Sequence, residues 1–324
     1  MTDSELHFSE ISNRISDLCS MSIVSAKIRK IVVLPKSPSE KMGYIRPQLH
    51  VMLQSPPGLG KSDIFSDIVE FGKTAKKPTF NIKLFDMMSQ AGLVGTIDKN
   101  TGKLIPGTMW EARKGTLLID EMGGSNTSYG FIEAFLSATE KRGFSKKMGF
   151  SGPSERIPDE DLILEFKDGW LQCRTRLSAI INSMYEIDKR ADQAWRALIS
   201  RVVPVHFSLT NDELYSMVCD GSKLFNPINY YENLKARLVK LGTTKDVVIL
   251  PYDECKKLAL RVKVLYVNPS IYLRAWGDLC RIYAIKGYHD EKLYDYVLSQ
   301  KSYYWDTMTA SIKAMQRRKY YATS

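Results

Sequence analysis

An α/β fold is the architecture this sequence predicts: a parallel sheet covered by helices on both faces, then a smaller helical unit. Three observations carry it. Short apolar runs at Leu49–Leu53, Thr79–Leu84, Thr116–Ile119, Leu177–Ile181 and Val202–Phe207 read as buried strands. Segments with helical spacing, such as Ile64–Ala75 and Gly130–Lys141, separate them, and strands alternating with helices imply a parallel sheet. Beyond about residue 210 the strand pattern fades, and Asn211–Cys219, Tyr230–Leu241, Tyr252–Leu265 and Ser270–Lys286 read as helices.

Before the first strand, Ile11, Ile15, Leu18, Met21 and Ile23 fall near helical spacing, and Lys36–Lys41 (KSPSEK) breaks the pattern. The expected organisation is a helical N-terminal segment over 1–47, an α/β domain over 48–210, and a helical domain with a basic tail over 211–324. No internal repeat or low-complexity linker interrupts it.

The bulk composition excludes some classes of protein. A chain of 324 residues, 44% hydrophobic and 25% charged, suits one large globular domain plus a smaller one. No apolar run approaches the roughly 20 residues of a membrane-spanning helix, so no membrane partner is expected. The N-terminus, MTDSELHFSEISNR, is acidic and polar, unlike a signal peptide. The five cysteines are scattered without a CxxC pair, which reads as reduced thiols in a cytoplasmic protein. The 46 basic and 36 acidic residues leave a net charge of +10. That balance is either solubility charge or the footprint of an anionic partner, nucleic acid being the commonest.

Two motifs carry chemistry. Gln48–Ser62 (QLHVMLQSPPGLGKS) is an apolar strand running into a glycine-bearing turn that opens a helix. Backbone N–H groups of such a turn, with a helix N-terminus behind them, cradle phosphate. The turn is Pro57, Gly58, Leu59 and Gly60, followed by Lys61, Ser62 and Asp63. Lys61 is expected to reach the β- and γ-phosphates of ATP, and Ser62 to offer its hydroxyl to Mg²⁺. The usual pattern has glycine at position 55, where this chain has Ser55, a strained choice if φ must be positive there.

The second motif is Gly115–Met122 (GTLLIDEM), a buried strand ending in Asp120 and Glu121. Ligands of parallel sheets bind outside those carboxyl ends. Asp120 is expected to hold Mg²⁺ or its water, and Glu121 to polarise the attacking water. Together the motifs predict nucleoside-triphosphate hydrolysis.

At these residues the chain resembles the AAA+ ATPases over roughly Gln48 to Lys286, and the order of elements is similar to the helix-2-insert branch. That branch holds the MoxR-type ATPases and the minichromosome maintenance helicases. Gly92–Glu121 (GLVGTIDKNTGKLIPGTMWEARKGTLLIDE) is similar to the branch's "GLxG…PGxLxxAxxGxLxxDE" stretch. Thr96–Thr108 would be the inserted hairpin, with its turn at Asn100–Gly102. The PPGLGKSDI start resembles MoxR-like ATPases of viruses and mobile elements.

The resemblance implies an αβα ATPase domain with a helix-2 insert and a pre-sensor-1 hairpin, then a small all-α lid. Leu177–Met184 looks like the sensor-1 strand, placing Asn182 at the γ-phosphate or its water. Ala194–Pro204 resembles the arginine-finger segment, with Arg201 as the finger and Arg196 as its substitute; a cation at a helix C-terminus also simply complements the dipole. A finger that works in trans implies a ring, most often a hexamer. Asn268–Trp276 resembles the sensor-2 helix, with Arg274 contacting ATP.

Substrate contacts are expected at Lys146 and Lys147, and at Lys167 on the tip of a hairpin spanning Glu165–Thr175. A comparable hairpin in the minichromosome maintenance helicases points a lysine into the pore. The basic, aromatic C-terminus (Lys313, Arg317, Arg318, Lys319) is either a stacking and phosphate surface or an amphipathic helix packed on the lid. The implied activity is Mg-dependent ATP hydrolysis driving a DNA motor, helicase or loader; the alternative is a MoxR-type chaperone acting on a partner protein.

Overall fold

A computed structural model describes residues 3–56, 60–74, 80–85, 89–98, 100–122, 129–140, 142–149, 152–160, 162–183, 192–208, 211, 227–241, 246–263, 269–303 and 305–306. Its centre is a five-stranded, all-parallel sheet. The strands are β3 (His50–Gln54), β4 (Ile82–Phe85), β7 (Thr116–Met122), β12 (Ser178–Ser183) and β13 (Val202–His206), in the order β13-β3-β12-β7-β4. All five apolar runs of the sequence are strands of this sheet. The register sets Val51 against Ile180 and Val203, and Leu118 against Ile180 and Leu84.

Alternate residues along each strand enter opposite layers, as the pleat requires. Val51, Leu53, Leu118, Ile180, Val203 and Val205 face one apolar cluster, shared with Ile64, Phe65 and Ile68 of helix α2 (Lys61–Thr74). Met52, Leu117, Ile119, Ile181 and Val202 face the other. That second layer takes Phe131 and Phe135 from α5 (Tyr129–Ala138) and Trp195 and Leu198 from α6 (Asp192–Arg201). Both faces are therefore dry over β3, β7, β12 and β13, which is why these strands read as apolar runs, while β4, at the edge, leaves Lys83 and Leu84 exposed.

Gly115 precedes β7 where the chain passes against Asn81, whose carbonyl accepts the Thr116 N–H at 2.7 Å. A Cβ on residue 115 would lie 2.0 Å from that carbonyl oxygen. Gly115→Ala is therefore expected to destabilise the protein by about 1–3 kcal/mol, read as a shifted denaturation midpoint with an unchanged slope. A wild-type midpoint would contradict this packing.

The ends of the chain differ from the sequence expectation. Residues 1–47 hold helix α1 (Asp3–Ser25) but also strands β1 (Lys30–Val33) and β2 (Gly43–Ile45). The C-terminal part is not all-α: β14 (Val247–Leu250) pairs in parallel with β1, making the sheet β14-β1-β2. Neither short run has an alternating pattern, and their partner is far away in sequence, so local periodicity missed them. Around β14 lie helices α7 (Pro227–Leu241), α8 (Tyr252–Lys263), α9 (Pro269–Lys286) and α10 (residues 291–303). Ile15 of α1, Val51 of β3, Leu234 of α7 and Leu279 of α9 share one cluster. Ser22 of α1 donates to the Leu49 carbonyl at 2.8 Å, anchoring α1 to the start of β3.

Two smaller sheets sit beside the second layer. Strands β5 (Gly95–Ile97) and β6 (Leu104–Pro106) form an antiparallel hairpin between the short helices α3 (Gln90–Val94) and α4 (Thr108–Glu111). Its loop is tied by the Asp98 carboxylate, which accepts from the N–H groups of Asn100 and Thr101, and by Gly102 at φ 69°. Strands β8 (Phe144–Lys147), β9 (Glu155–Asp159), β10 (Leu162–Lys167) and β11 (Trp170–Arg174) form an antiparallel sheet ordered β8-β11-β10-β9. The β10–β11 turn is the two-residue Asp168-Gly169, both at positive φ (51° and 77°), the type I′ geometry that favours Asp-Gly. Among the described residues no helix is long and apolar enough to cross a membrane.

Candidate functional site

The topology opens a crevice at the carboxyl ends of β3 and β12. After β3 the chain enters α2 and crosses to β4 at one edge of the sheet. After β12 it enters α6 and returns to β13 on the far side of β3. Loops leaving adjacent strands in opposite directions leave room for a ligand between them.

Four side chains named from the sequence gather there. Asn182 is buried at the end of β12, and its Nδ2 donates to Asp120 Oδ1 at 2.5 Å. Ser62 Oγ, in the first turn of α2, donates to Asp120 Oδ2 at 3.5 Å. Between the pairs Ile181↔Ile119 and Ser183↔Met122 the register shifts, so Asn182 alone opposes Asp120 and Glu121. This bulge turns the carboxylate end of β7 toward the crevice, a use bulges often have beside functional sites. Glu121 lies on β7, but its side chain is outside the described residues, as are Pro57, Gly58 and Leu59. Asp63 is exposed in the first turn of α2.

Lys61 folds back over the turn. Its Nζ donates to Ser55 O at 2.8 Å, Ser55 Oγ at 2.9 Å and Pro56 O at 3.0 Å. Burial holds the ammonium below the usual lysine range, while the Asp120 charge acts in the opposite sense. Gly60 adopts φ 72°, a conformation that glycine reaches without strain. Ser55 is not strained: it is buried at the end of β3 with a negative φ, and its hydroxyl is one of the three oxygens holding Lys61. The sequence named the departure at position 55 but not this contact.

Arg201 and Arg274 lie at the other end of the sheet. Arg201 closes α6 immediately before β13, so a strand of five residues, roughly 17 Å at about 3.3 Å per residue, separates it from the crevice. Its Nη2 donates to Glu140 Oε1 at 2.8 Å, and its Nη1 to Ala197 O at 2.9 Å. Arg274 is on α9, facing the same cleft of about 330 Å³ as Arg46, Arg201 and Arg281. It thus lies at the opposite end of the sheet from the Gly60–Ser62 turn of its own chain. Arg196 is exposed, one turn before Arg201. At the base of the cleft, His50 is held neutral: burial first, then the charges of Arg281, Arg46 and Arg201, push it down to about 3. Arg46 and Arg281 carried no motif, since their neighbours come from α5, α6 and α9.

The three lysines of the antiparallel sheet divide between its faces. Lys147 pairs with Trp170, which pairs across the turn with Lys167, so the three form one exposed cross-strand row. Trp170, in the middle position of this row, is 43% exposed. Lys146 points to the opposite face and donates to Gln90 Oε1 at 2.5 Å. The sequence reading passed over Trp170, although a two-residue turn always pairs the residues that flank it. Residues 307–324, including the basic tail, are outside the described residues. Compared with models of protein families and with characterised proteins, the sequence gives no match.

Proposed function

We propose that this chain is a Mg-dependent ATPase of the AAA+ helix-2-insert type that acts on DNA as a ring, six-membered by analogy with that family. The observation that carries this reading is the convergence of Lys61, Ser62, Asp120 and Asn182 at the carboxyl ends of adjacent parallel strands. Ser62 and Asp120 supply a hydroxyl and a carboxylate, hard oxygen donors that suit Mg²⁺, which would neutralise charge developing on the phosphates. Lys61 exchanges its carbonyl partners for phosphate oxygens as the nucleotide enters. Asn182 Oδ1 makes no hydrogen bond among the described residues, which leaves it free to accept from the attacking water while its amide holds Asp120. Glu121, next on the strand, takes the proton of that water.

DNA is favoured over a protein substrate by the row Lys147–Trp170–Lys167. A half-exposed indole between two lysines offers a base-stacking surface flanked by phosphate contacts, the combination used on single strands. The β5–β6 hairpin fits the position of the helix-2 insert, and the helices around β14 fit the lid. Arg201, remote from its own phosphate loop, suits a finger acting on an adjacent subunit.

The test is the steady-state ATPase rate, alone and with single- or double-stranded DNA at low salt. A several-fold stimulation is expected. Trp170→Ala should weaken single-strand binding by about 5- to 150-fold, the equivalent of ~1–3 kcal/mol per stacked base. Lys167→Ala should reduce the salt slope of binding by about one. A rate indifferent to DNA, with no binding at low salt, would replace this substrate with a partner protein, as in the MoxR-type ATPases. Absence of any hydrolysis would remove the ATPase reading itself.

A further inference from the structure

Helices α8 and α9 run antiparallel with one face of each in contact. Tyr272 Oη donates to the Ala259 carbonyl at 2.9 Å, and Trp276 Nε1 to the Cys255 carbonyl at 3.0 Å. Residues 272, 276 and 280 lie one turn apart on α9, as 259 and 255 do on α8, so the next step of this row sets Cys280 against Cys255. Their thiols hydrogen-bond to each other. Both belong to the apolar cluster that holds Leu258, Leu279 and Tyr294. An isolated buried cysteine packs as a small hydrophobe, which describes Cys173, pushed up to about 12 by burial. Cys255 differs. It sits in the first turn of α8, where a helix N-terminus favours a thiolate. The hydrogen bond from Cys280 holds it below the ordinary thiol range, against burial and the Glu254 charge. The same bond, with burial, keeps Cys280 protonated.

We propose that Cys255 and Cys280 are a modification site, closing into a reversible disulfide between α8 and α9 by exchange with a small disulfide such as oxidised glutathione. Cys255 is the entry point: it is 5% exposed where Cys280 is 0% exposed, and the end of a helix opens more readily than its middle. The Cys255 thiolate attacks one sulfur of the small disulfide, whose S–S bond breaks. One glutathione leaves as a thiolate and takes up the proton that Cys255 had released to water. Cys280 then attacks Cys255 Sγ, and its proton goes with the second departing glutathione. Two protein thiols are oxidised and one small disulfide is reduced to two thiols. The division of labour, a low-pKa thiol beside a resolving one, is that of redox-responsive pairs. Since α9 also carries Arg274 and Arg281 of the cleft, the bond fixes that helix to its neighbour.

The experiment exposes the full-length chain to oxidised glutathione under native conditions, alkylates the thiols that remain, and maps the digest by mass spectrometry. A peptide pair joined through Cys255 and Cys280 is expected, with two of the five cysteines lost to alkylation and both recovered by dithiothreitol. Cys280→Ala should stop at the mixed disulfide, with glutathione retained on Cys255. Cys255→Ala should leave Cys280 unmodified, because the attacking thiolate is gone. In urea the oxidised wild type should have a higher midpoint than the reduced, since the bond closes a loop of the unfolded chain. Five alkylated thiols after exposure, or a bond through another pair, overturns the proposal. So does glutathione on Cys280 in Cys255→Ala, or an oxidised wild type less stable than the reduced. The wild-type arm needs neither a substitution nor ATP, so its failure is distinct from failure of the ATPase reading.

Discussion

Glu121→Gln is expected to keep ATP binding while lowering turnover by about 10²–10⁴-fold, the usual contribution of a general base. The amide preserves size and shape, so phosphate loop, Lys61 and Ser62 should hold nucleotide as before. What is lost is the group that takes the proton from water. Asp120 is a different case: it is the acceptor for both Asn182 and Ser62. Replacing it with alanine would leave the buried Asn182 amide without its partner and remove the acidic oxygen offered to Mg²⁺. Asp120→Ala is therefore expected to lose tight Mg-ATP binding as well as turnover. The measurement is equilibrium binding of a fluorescent ATP analogue beside steady-state hydrolysis. Persistent hydrolysis in Glu121→Gln would refute its role, and loss of binding there would make Glu121 a ligand of the metal rather than a base.

Asp278→Ala is expected to cost about 3–5 kcal/mol of stability, because it strands a buried charge. Asp278 and Lys301 are 2% and 4% exposed, and Lys301 Nζ lies 2.6 Å from Asp278 Oδ2. Burial pulls the lysine below its ordinary range and the aspartate opposes that. Removing the carboxylate leaves Lys301 to neutralise itself or open α10, and frees Arg281 from its partner. A buried pair stabilises less than the cost of breaking it implies, since both charges were desolvated to form it. The double variant Asp278→Leu/Lys301→Met should accordingly recover most of the loss. Chemical denaturation of the three proteins decides the matter. A mild Asp278→Ala, or a double variant as unstable as the single, would mean the pair is hydrated.

Much of the central domain was legible along the chain. Strands buried on both faces are apolar along most of their length, so β3, β7, β12 and β13 each announced themselves as a short apolar run, and the edge strand β4 did so despite its exposed Lys83. Motif spacing then placed Lys61, Ser62, Asp120 and Asn182, because a parallel sheet delivers the ends of neighbouring strands to one crevice. The Asp168-Gly169 turn was equally visible, since only certain residues tolerate two successive positive φ values. The pairing of β1 with β14 was not: KIVV and VVIL are too short and too unpatterned to declare a partner so far away in sequence.

The sequence by itself determined the strands of the sheet, the turn that opens α2 at Lys61 and the acidic strand end, because each is specified by residues near one another in the chain. Only the tertiary structure decided what surrounds Ser55, which face each hairpin lysine takes, and how α1 and the C-terminal helices share one core. It also gathered Arg46, Arg201, Arg274 and Arg281 into one cleft. Those relations depend on long-range packing, which leaves no period in the sequence: a charge becomes part of a site only when the fold brings distant neighbours to it and takes water away.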